Sequence, residues 1–198
     1  MNHAPVRSWL NPFRNAPNLL TLLRICMAPF LVAAILEGQY KLGFTLFVVA
    51  GLTDALDGAL ARVLKQRTML GQYLDPVADK LLLSTLFLVL LHKGLMPVTV
   101  TVLVFGRDVG ILLVSALLYA AAGRREFHPS VFGKANTLAQ ITAVAAVLLR
   151  QVTPDWYWVA ALRTVALDAT MALTVISGLH YAWAVSRRQG TPAANGAK

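Results

Sequence analysis

Four aspartates in the middle of the chain are the residues best placed to do chemistry. The chain has nine acidic residues in all, and four of them fall between Asp54 and Asp79. The flanking segments are strongly apolar, with LGFTLFVVAGLT before the cluster and LLLSTLFLVLL after it. Carboxylates in membrane-like segments are costly, so they are usually paired, bound to metal or functional. We therefore expect the chemistry at this cluster, whose pattern is D-x-x-D-G-x-x-A-R-x8-G-x3-D-x3-D.

The first half of the pattern predicts one functional helix face. Asp54, Asp57, Gly58 and Ala61 stand at positions i, i+3, i+4 and i+7, which share a face when the segment is helical. Carboxylates suit a hard cation, whereas glycine and alanine let a ligand approach the backbone closely. This face is thus expected to hold a cation with a ligand beside it.

The second half of the pattern predicts another carboxylate pair. Asp75 and Asp79 stand at i and i+4, and the connection from Arg62 to Gly71 is short enough for two helices to pack side by side. Four carboxylates that face one another repel unless cations neutralise them. All-oxygen ligation favours Mg²⁺ or Mn²⁺, with one or two ions shared, and the lack of a nearby His or Cys disfavours zinc.

Divalent ions held by carboxylates near a membrane surface suit phosphoryl-group chemistry. Such ions bridge a pyrophosphate and stabilise the leaving oxygen, while one carboxylate stays available as a base. Arg62 and Lys80 lie beside the cluster and are candidates to contact phosphate oxygens. The alternative is a solvated loop in which the acids pair with neighbouring cations. The two same-face pairs and the interleaved small residues favour the metal site over that alternative.

Composition predicts an all-α, polytopic membrane protein with six transmembrane helices. Hydrophobic residues make up 57% of the 198 residues and lie in long runs. The predicted segments cover residues 17–36, 41–65, 71–91, 96–122, 131–150 and 156–185. Residues 1–16 are expected to form an interfacial or cytoplasmic segment, with a short interfacial helix or a disordered leader as alternatives. Residues 17–186 form the six-helix domain, and 187–198 a disordered cytoplasmic tail.

The lysines and arginines of the connections predict the orientation. The side that carries more of them faces the cytoplasm. One side has nine, which are Arg7, Arg14, Lys65, Arg67, Arg124, Arg125, Arg187, Arg188 and Lys198, and the other has three, which are Lys41, Lys93 and Arg150. Both termini and the aspartates are thus expected on the cytoplasmic side of a bacterial-type inner membrane. The net charge of +9 is expected to face anionic lipid, and no nucleic-acid partner is expected.

At these residues the sequence resembles the CDP-alcohol phosphotransferase (CDP-alcohol phosphatidyltransferase) family. The family signature is D-x-x-D-G-x-x-A-R-x8-9-G-x3-D-x3-D. All eight of its fixed positions are matched, by Asp54, Asp57, Gly58, Ala61, Arg62, Gly71, Asp75 and Asp79. The wider resemblance covers residues 17–185.

The resemblance implies a reaction and roles for these residues. Family members transfer a substituted phosphate from a CDP-linked donor to an alcohol, release CMP and typically form homodimers. The resemblance implies that the four aspartates hold two divalent ions, and that Asp79 also acts as the general base. It implies a CDP site formed by Asp54, Asp57, Gly58, Ala61, Arg62, Gly71, Asn18 and Thr21.

Three further motifs bear on the acceptor alcohol. PNLLTLLR, with Arg24, looks like the opening motif of the phosphatidylglycerophosphate synthase and cardiolipin synthase branches. Arg24 lies inside an apolar run and needs a partner; we expect the acceptor phosphate, with snorkelling to the interface as the alternative. The motifs FGRDV, with Arg107 and Asp108, and GKANTLAQ, with Lys134, look closer to the cardiolipin synthase branch. The predicted acceptor-phosphate residues are Arg24, Arg107, Arg124, Arg125 and Lys134.

Three functions are therefore weighed. The favoured one joins CDP-diacylglycerol to phosphatidylglycerol and yields cardiolipin and CMP. The second uses the same donor with glycerol 3-phosphate and yields phosphatidylglycerophosphate. Because both acceptors carry phosphate, charge counting does not separate them. A cation transporter or channel is the remote third, since its acids would lie near the bilayer midplane, often at inverted repeats.

Overall fold

A computed structural model describes the backbone of residues 16–64, 69–122 and 131–189, and the side chains of residues 23–54, 80–111, 113 and 133–181. The described backbone has six α-helices and no strand, which confirms the predicted all-α class. The helices are α1 (Ala16–Leu36), α2 (Tyr40–Leu64), α3 (Met69–His92), α4 (Val98–Ala122), α5 (Val131–Val152) and α6 (Tyr157–Gln189). Each of the six predicted apolar runs thus forms one helix. The predicted and observed bounds differ most at the end of α6, which was predicted at residue 185 and lies at Gln189. The predicted interfacial helix lies outside the described residues.

Membrane-spanning character is clearest in α6. Among the described residues, one stretch is both long and apolar enough to cross a bilayer, Tyr157–Tyr181. Shorter apolar stretches occur at Leu23–Leu36 in α1 and Lys80–His92 in α3. The six predicted spans therefore stay a prediction, although the six helices are present.

The chain divides into two compact units, and unit 1 comprises α1, α2 and α3. In this unit α1 packs against both α2 and α3. Its buried residues Leu31, Ala34 and Ile35 recur at helical spacing, so they form one apolar stripe. Across from it, Phe47 of α2 and Phe87 of α3 are also buried. The core of unit 1 is therefore built around α1.

A glycine-based cap ends α1 and turns the chain into α2. Gly38 has a φ of 78°, a left-handed value that glycine adopts without steric cost. The N–H of Gly38 donates to the carbonyl of Ile35 at 3.1 Å, and the N–H of Gln39 donates to that of Ala34 at 2.8 Å. These two bonds form a Schellman motif, which satisfies carbonyls at the end of the helix. The turn is short enough to let α2 begin at Tyr40, beside α1.

Unit 2 comprises α4, α5 and α6, and α6 is its common element. Both α4 and α5 pack against α6. Apolar residues such as Val104, Val147 and Leu167 are buried in the three helices. The Nη2 of Arg163 donates to the carbonyl of Leu95 at 2.8 Å, which ties α6 to the turn before α4.

The contact between Gly43 and Ile35 gives a test of the packing of α1 on α2. A Cβ added at Gly43 would lie 3.0 Å from Cγ1 of the fully buried Ile35, whereas one at Gly51 meets nothing within 4 Å. We expect Gly43→Leu to be less stable than Gly51→Leu by about 1–3 kcal/mol, because overpacking forces neighbouring side chains apart. Both variants remove one helical glycine, so the difference between their thermal unfolding midpoints in detergent isolates the contact. Equal midpoints would contradict this packing.

Candidate active site

The eight signature positions lie on two consecutive helices. Five lie in the C-terminal half of α2 and three in the N-terminal half of α3, and four residues, 65–68, separate the two helices along the chain. The five are Asp54, Asp57, Gly58, Ala61 and Arg62, and the three are Gly71, Asp75 and Asp79. The side chains of residues 55–79 lie outside the described part of the structure. The convergence of the four carboxylates therefore stays a prediction.

Asp54 is the signature aspartate whose side chain is described, and it binds an arginine of α1. The Nη2 of Arg24 donates to Oδ1 of Asp54 at 2.5 Å. Arg24 is buried, with 4% of its side chain exposed, whereas the Asp54 side chain is 49% exposed. A buried guanidinium is stable only with a compensating negative charge. The ion pair therefore anchors the signature helix α2 to the central helix of unit 1.

The exposure of Asp54 fits the predicted role of a metal ligand. Arg24 binds one carboxylate oxygen, while about half of the side-chain surface remains accessible to an ion. A carboxylate oxygen is a ligand that Mg²⁺ and Mn²⁺ favour. Among the described side chains, no group of three His, Cys, Asp or Glu residues could hold a metal ion. Of the four signature aspartates, these side chains include that of Asp54 alone.

The structure locates the predicted acceptor residues on several elements. Arg24 lies in α1 on Asp54, so its described partner is a carboxylate, and its contact with an acceptor phosphate stays a prediction. Lys134 is exposed on α5. Arg124 and Arg125 lie outside the described residues. Asn18 and Thr21, which are predicted for the CDP site, lie on the first turns of α1, and their side chains are outside the described part.

Arg107, the predicted acceptor residue of α4, lies in a mostly buried cluster in unit 2. Its Nη1 donates to Oδ1 of Asp108 at 2.7 Å, and its Nη2 donates to Oγ of Ser177 at 2.7 Å. The side chains of Arg107 and Asp108 are 11% and 14% exposed. The charge of Arg107 is therefore balanced within its own helix, while Ser177 connects it to α6.

Asn136 of α5 forms a second buried polar contact with α6. The hydroxyl of Thr174 donates to Oδ1 of Asn136 at 2.9 Å. Asn136 and the neighbouring Gln140 are fully buried, and so are Thr174 and Ser177 of α6. Asn136 and Gln140 of the GKANTLAQ motif thus lie inside unit 2, on the side that packs against α6.

Sequence reasoning missed the buried hydroxyl residues of α6. Thr170, Thr174 and Ser177 are all buried and stand at i, i+4 and i+7, a single helix face. That spacing was a usable signal, because polar residues on one stripe of an apolar helix mark an interface with other helices. They were missed because single hydroxyls are common in such helices and no motif includes them.

The sequence matches a known family over most of its length. A family model described as CDP-alcohol phosphatidyltransferase matches residues 14–177, which include all six helices in part or whole. The chain belongs to this family. CDP-alcohol phosphatidyltransferases are membrane enzymes that generally use a divalent metal, and the expected family is confirmed.

Relatives with two different named activities are similar to this chain. The cardiolipin synthase (CMP-forming) of Rattus norvegicus is 36% identical over 71% of this chain and 52% of its own length. The CDP-diacylglycerol–glycerol-3-phosphate 3-phosphatidyltransferase of Bacillus subtilis is 33% identical over 84% of this chain and 93% of its own. A probable phosphatidylglycerophosphate synthase of Mycobacterium tuberculosis is 36% identical over 84% of this chain and 79% of its own length. The match thus covers about half the length of the rat relative, and identity does not separate the acceptors.

The Arg24–Asp54 pair predicts an asymmetric effect on stability. We expect Asp54→Asn to lower the unfolding midpoint of metal-free enzyme more than Arg24→Met. Asparagine removes the charge bound to a buried guanidinium, whereas methionine leaves behind a carboxylate that is half exposed to solvent. The difference should be about 1–3 kcal/mol, below the 3–5 kcal/mol typical of fully buried pairs.

Thermal unfolding in detergent with excess chelator measures this difference. Chelator is needed because a bound ion would stabilise the wild type and the variants to different extents. Asp155→Asn is the matched control, since Asp155 is an exposed aspartate in the turn before α6. An Arg24→Met variant less stable than Asp54→Asn would contradict the assignment of Arg24 as the buried partner.

Proposed function

We propose that this CDP-alcohol phosphatidyltransferase transfers the phosphatidyl group of CDP-diacylglycerol to phosphatidylglycerol, yielding cardiolipin and CMP. The observation that carries the donor and the reaction is the complete eight-position signature on α2 and α3, within a family match over residues 14–177. CMP-forming cardiolipin synthases are among the relatives. The signature therefore supports a CDP-linked donor, and the name of the Bacillus subtilis relative supports CDP-diacylglycerol as that donor.

Asp79 takes the proton in the proposed reaction. It accepts the hydrogen of the acceptor hydroxyl, whose oxygen then bonds to the lipid-side phosphorus of the donor. The bond from that phosphorus to the bridging oxygen breaks, and CMP leaves with the bonding electrons. Arg62 contacts the phosphate of the departing CMP, while Gly58 and Ala61 leave room for the cytidine end.

Asp54, Asp57, Asp75 and Asp79 would hold one or two divalent ions, Mg²⁺ or Mn²⁺. When bound, such ions neutralise the charge of the pyrophosphate and of the leaving group. The half-exposed Asp54 carboxylate fits this role, and Arg24 holds it in place from α1. Arg24 thus has the proposed role of positioning Asp54 as a metal ligand. A contact between Arg24 and the acceptor phosphate would be a second role.

Two motifs in unit 2 favour phosphatidylglycerol as the acceptor. The first is Arg107–Asp108, where the carboxylate balances the arginine at 2.7 Å. The second is Asn136 and Gln140, both neutral and buried. Glycerol 3-phosphate carries a dianionic phosphate and needs more cationic charge than the monoanionic phosphodiester of phosphatidylglycerol does.

Phosphatidylglycerophosphate synthesis is the second candidate. It is favoured by the Bacillus subtilis relative, which the chain matches over 93% of that protein's length. Arg124, Arg125 and Lys134 would then supply the charge for glycerol 3-phosphate. For either acceptor we propose a homodimer in a bacterial-type inner membrane, with both termini and the aspartates cytoplasmic.

The acceptor assay tests the proposed function directly. Purified enzyme with CDP-diacylglycerol and Mg²⁺ or Mn²⁺ should release CMP faster with phosphatidylglycerol than with glycerol 3-phosphate, and cardiolipin should accumulate. Excess chelator should abolish release, and added metal should restore it. Faster release with glycerol 3-phosphate would establish the second candidate, and full activity in chelator would contradict the metal site. No release with either acceptor, alongside cation flux into proteoliposomes, would favour a transporter.

Replacement of the proposed base should lower turnover selectively. We expect Asp79→Asn to lower kcat by about 10²- to 10⁴-fold, the usual contribution of a general base. The three other aspartates should retain metal and CDP-diacylglycerol, as measured by Mn²⁺ and donor binding. Asp155→Asn is the control with unchanged turnover, because Asp155 lies outside the signature. Near-normal turnover of Asp79→Asn with metal bound would contradict the assigned base.

A further inference from the structure

Asp168 places a carboxyl group near the middle of the apolar span of α6. That span runs from Tyr157 to Tyr181, and Asp168 lies 11 residues after its start and 13 before its end. At 1.5 Å per residue, Asp168 is about 16–20 Å from either end. The hydrocarbon core of a bilayer is about 30 Å thick, so Asp168 lies near its midplane when α6 crosses the membrane. The proposed reaction does not use this residue.

Aromatic side chains at the start of α6 support this depth. Trp156, Tyr157 and Trp158 are all exposed, and the rings of the two tryptophans lie 5.5 Å apart. Tryptophan and tyrosine are enriched where the hydrocarbon meets the headgroups, because their rings are apolar while their N–H and O–H groups are polar. These three side chains therefore mark the membrane interface, and Asp168 lies about three helical turns deeper.

The carboxyl group of Asp168 has no partner among the described residues. Its side chain is exposed and forms no hydrogen bond or ion pair with them. The nearest cation along α6 is Arg163, five residues earlier, and its Nη2 donates to the carbonyl of Leu95 at 2.8 Å. Residues five apart do not share a helix face, because side-chain neighbours are three or four apart. An aspartate is also too short to reach the interface from this depth, so another group must satisfy it.

Asp168 lies at the centre of an exposed stripe of α6. The buried residues Thr174 and Ser177 mark the opposite side, which contacts α5 and α4. Steps of four and three residues alternate along the exposed side, which keeps its members on one helix face. This α6 stripe consists of Ala161, Val165, Asp168, Ala172, Val175 and Leu179, all of which are exposed. Asp168 is thus the one polar member of an otherwise apolar surface.

The carboxyl group decides what covers the α6 stripe. Lipid chains would suffice for its apolar members, but they offer no hydrogen-bond partner to a carboxyl group. A lysine or arginine of a different protein would have to be buried at the same depth, which is itself costly. A second copy of this chain presents Asp168 at the same depth when a two-fold axis runs along the membrane normal. Because a protonated carboxyl group both donates and accepts, two copies of Asp168 satisfy each other without a cation.

The other members of the α6 stripe suit close approach of a second α6. Ala172 lies one turn after Asp168 and Ala161 two turns before it, so small side chains flank the carboxyl group on both sides. Alternating steps of four and three residues are the spacing of helix pairs that cross at about 20°, the usual angle in membrane bundles. From Ala161 to Leu179 the stripe rises about 27 Å, close to the thickness of the hydrocarbon core.

We propose that the α6 stripe is the interface of a homodimer in which the Asp168 carboxyl groups of two copies form a hydrogen bond near the membrane midplane. The O–H of one carboxyl group donates to an oxygen of the other, because two ionised carboxylates would repel. A single polar pair in an apolar helix interface also fixes the register of the two helices. This inference rests on the homodimer of the proposed function and identifies its interface, whichever acceptor the enzyme uses.

Cysteine cross-linking tests which side of α6 meets the second copy. In a Cys26→Ser background, Ala161→Cys and Ala160→Cys make the same substitution at nearly the same depth, about 100° apart around the helix. Ala161 belongs to the exposed α6 stripe, whereas Ala160 is half-buried beside it. When the purified enzyme is oxidised in liposomes, Ala161→Cys should form a disulfide-linked dimer and Ala160→Cys should not. Equal yields, or no dimer from Ala161→Cys because lipid covers the stripe, would overturn the inference.

Dimer dissociation in liposomes tests the role of the carboxyl group. Energy transfer between donor- and acceptor-labelled copies gives the Kd as added lipid dilutes the protein. Asp168→Leu should raise the Kd about 5- to 30-fold, the usual effect of one hydrogen bond between membrane helices. Asp168→Asn keeps a donor and an acceptor and should keep the Kd near that of the wild type. Asp155→Leu is the control with unchanged Kd, because Asp155 is an exposed aspartate outside the span.

Leucine suits a membrane helix better than aspartate does, so failure to insert would not explain a weaker dimer of Asp168→Leu. An unchanged Kd for Asp168→Leu would overturn the inference, because the carboxyl group would then contribute nothing to association.

CMP release from the same preparations separates this inference from the proposed reaction. Normal release from wild-type enzyme, with no cross-link at Ala161→Cys or an unchanged Kd for Asp168→Leu, overturns the interface alone. Absence of release from wild-type enzyme overturns the proposed reaction. The expected cross-link and Kd results would still support the interface in that case, because neither measurement depends on turnover.

Discussion

A charged or polar side chain buried between apolar helices must have a partner, and the described structure depends on how this constraint is met. Arg24 is almost completely buried in unit 1, and Asp54 of α2 supplies its counter-charge. The same carboxylate is the first aspartate of the family signature. One ion pair therefore serves two purposes, since it stabilises the packing of α1 on α2 and fixes the position of a proposed metal ligand. For that reason we expect metal binding at Asp54 to be coupled to the packing of α1.

The constraint is met differently in unit 2, where neutral groups do most of the pairing. Here α6 has the place that α1 has in unit 1, as the helix that packs against the two others. Hydroxyls at Thr174 and Ser177 give α6 polar contacts with α5 and α4 without burying a net charge. Because hydroxyls are small and uncharged, they cost little within an apolar helix. In each unit the central helix thus carries a buried polar residue that binds a neighbouring helix.

The fold was largely predictable because long apolar runs and their interruptions mark helices directly. The glycine-based turn after Leu36 and the run that begins near Val131 are examples in which predicted and observed bounds agree closely. The placement of the signature aspartates on two consecutive helices was predictable because their spacing combines two helical pairs, whereas their convergence stays a prediction. The partner of Arg24 was not predictable from the sequence. A sequence does not tell whether a buried arginine binds a phosphate or a carboxylate 30 residues away. Thr174 and Ser177 were missed because their role depends on which helix faces them.

The polar cluster of unit 2 shows why counting cations in a sequence is a poor guide to the net charge of a buried region. Arg107 contributes one formal positive charge to the sequence, yet Asp108 cancels it at 2.7 Å, so it offers donors rather than net charge. Asn136 contributes no charge, yet its buried amide accepts a hydrogen bond from the hydroxyl of Thr174. Recognition of an alcohol requires donors and acceptors in set positions, whereas recognition of a dianion requires uncompensated charge. The described part of unit 2 supplies the former, and the arginine of its α4 adds no uncompensated charge to the described cluster.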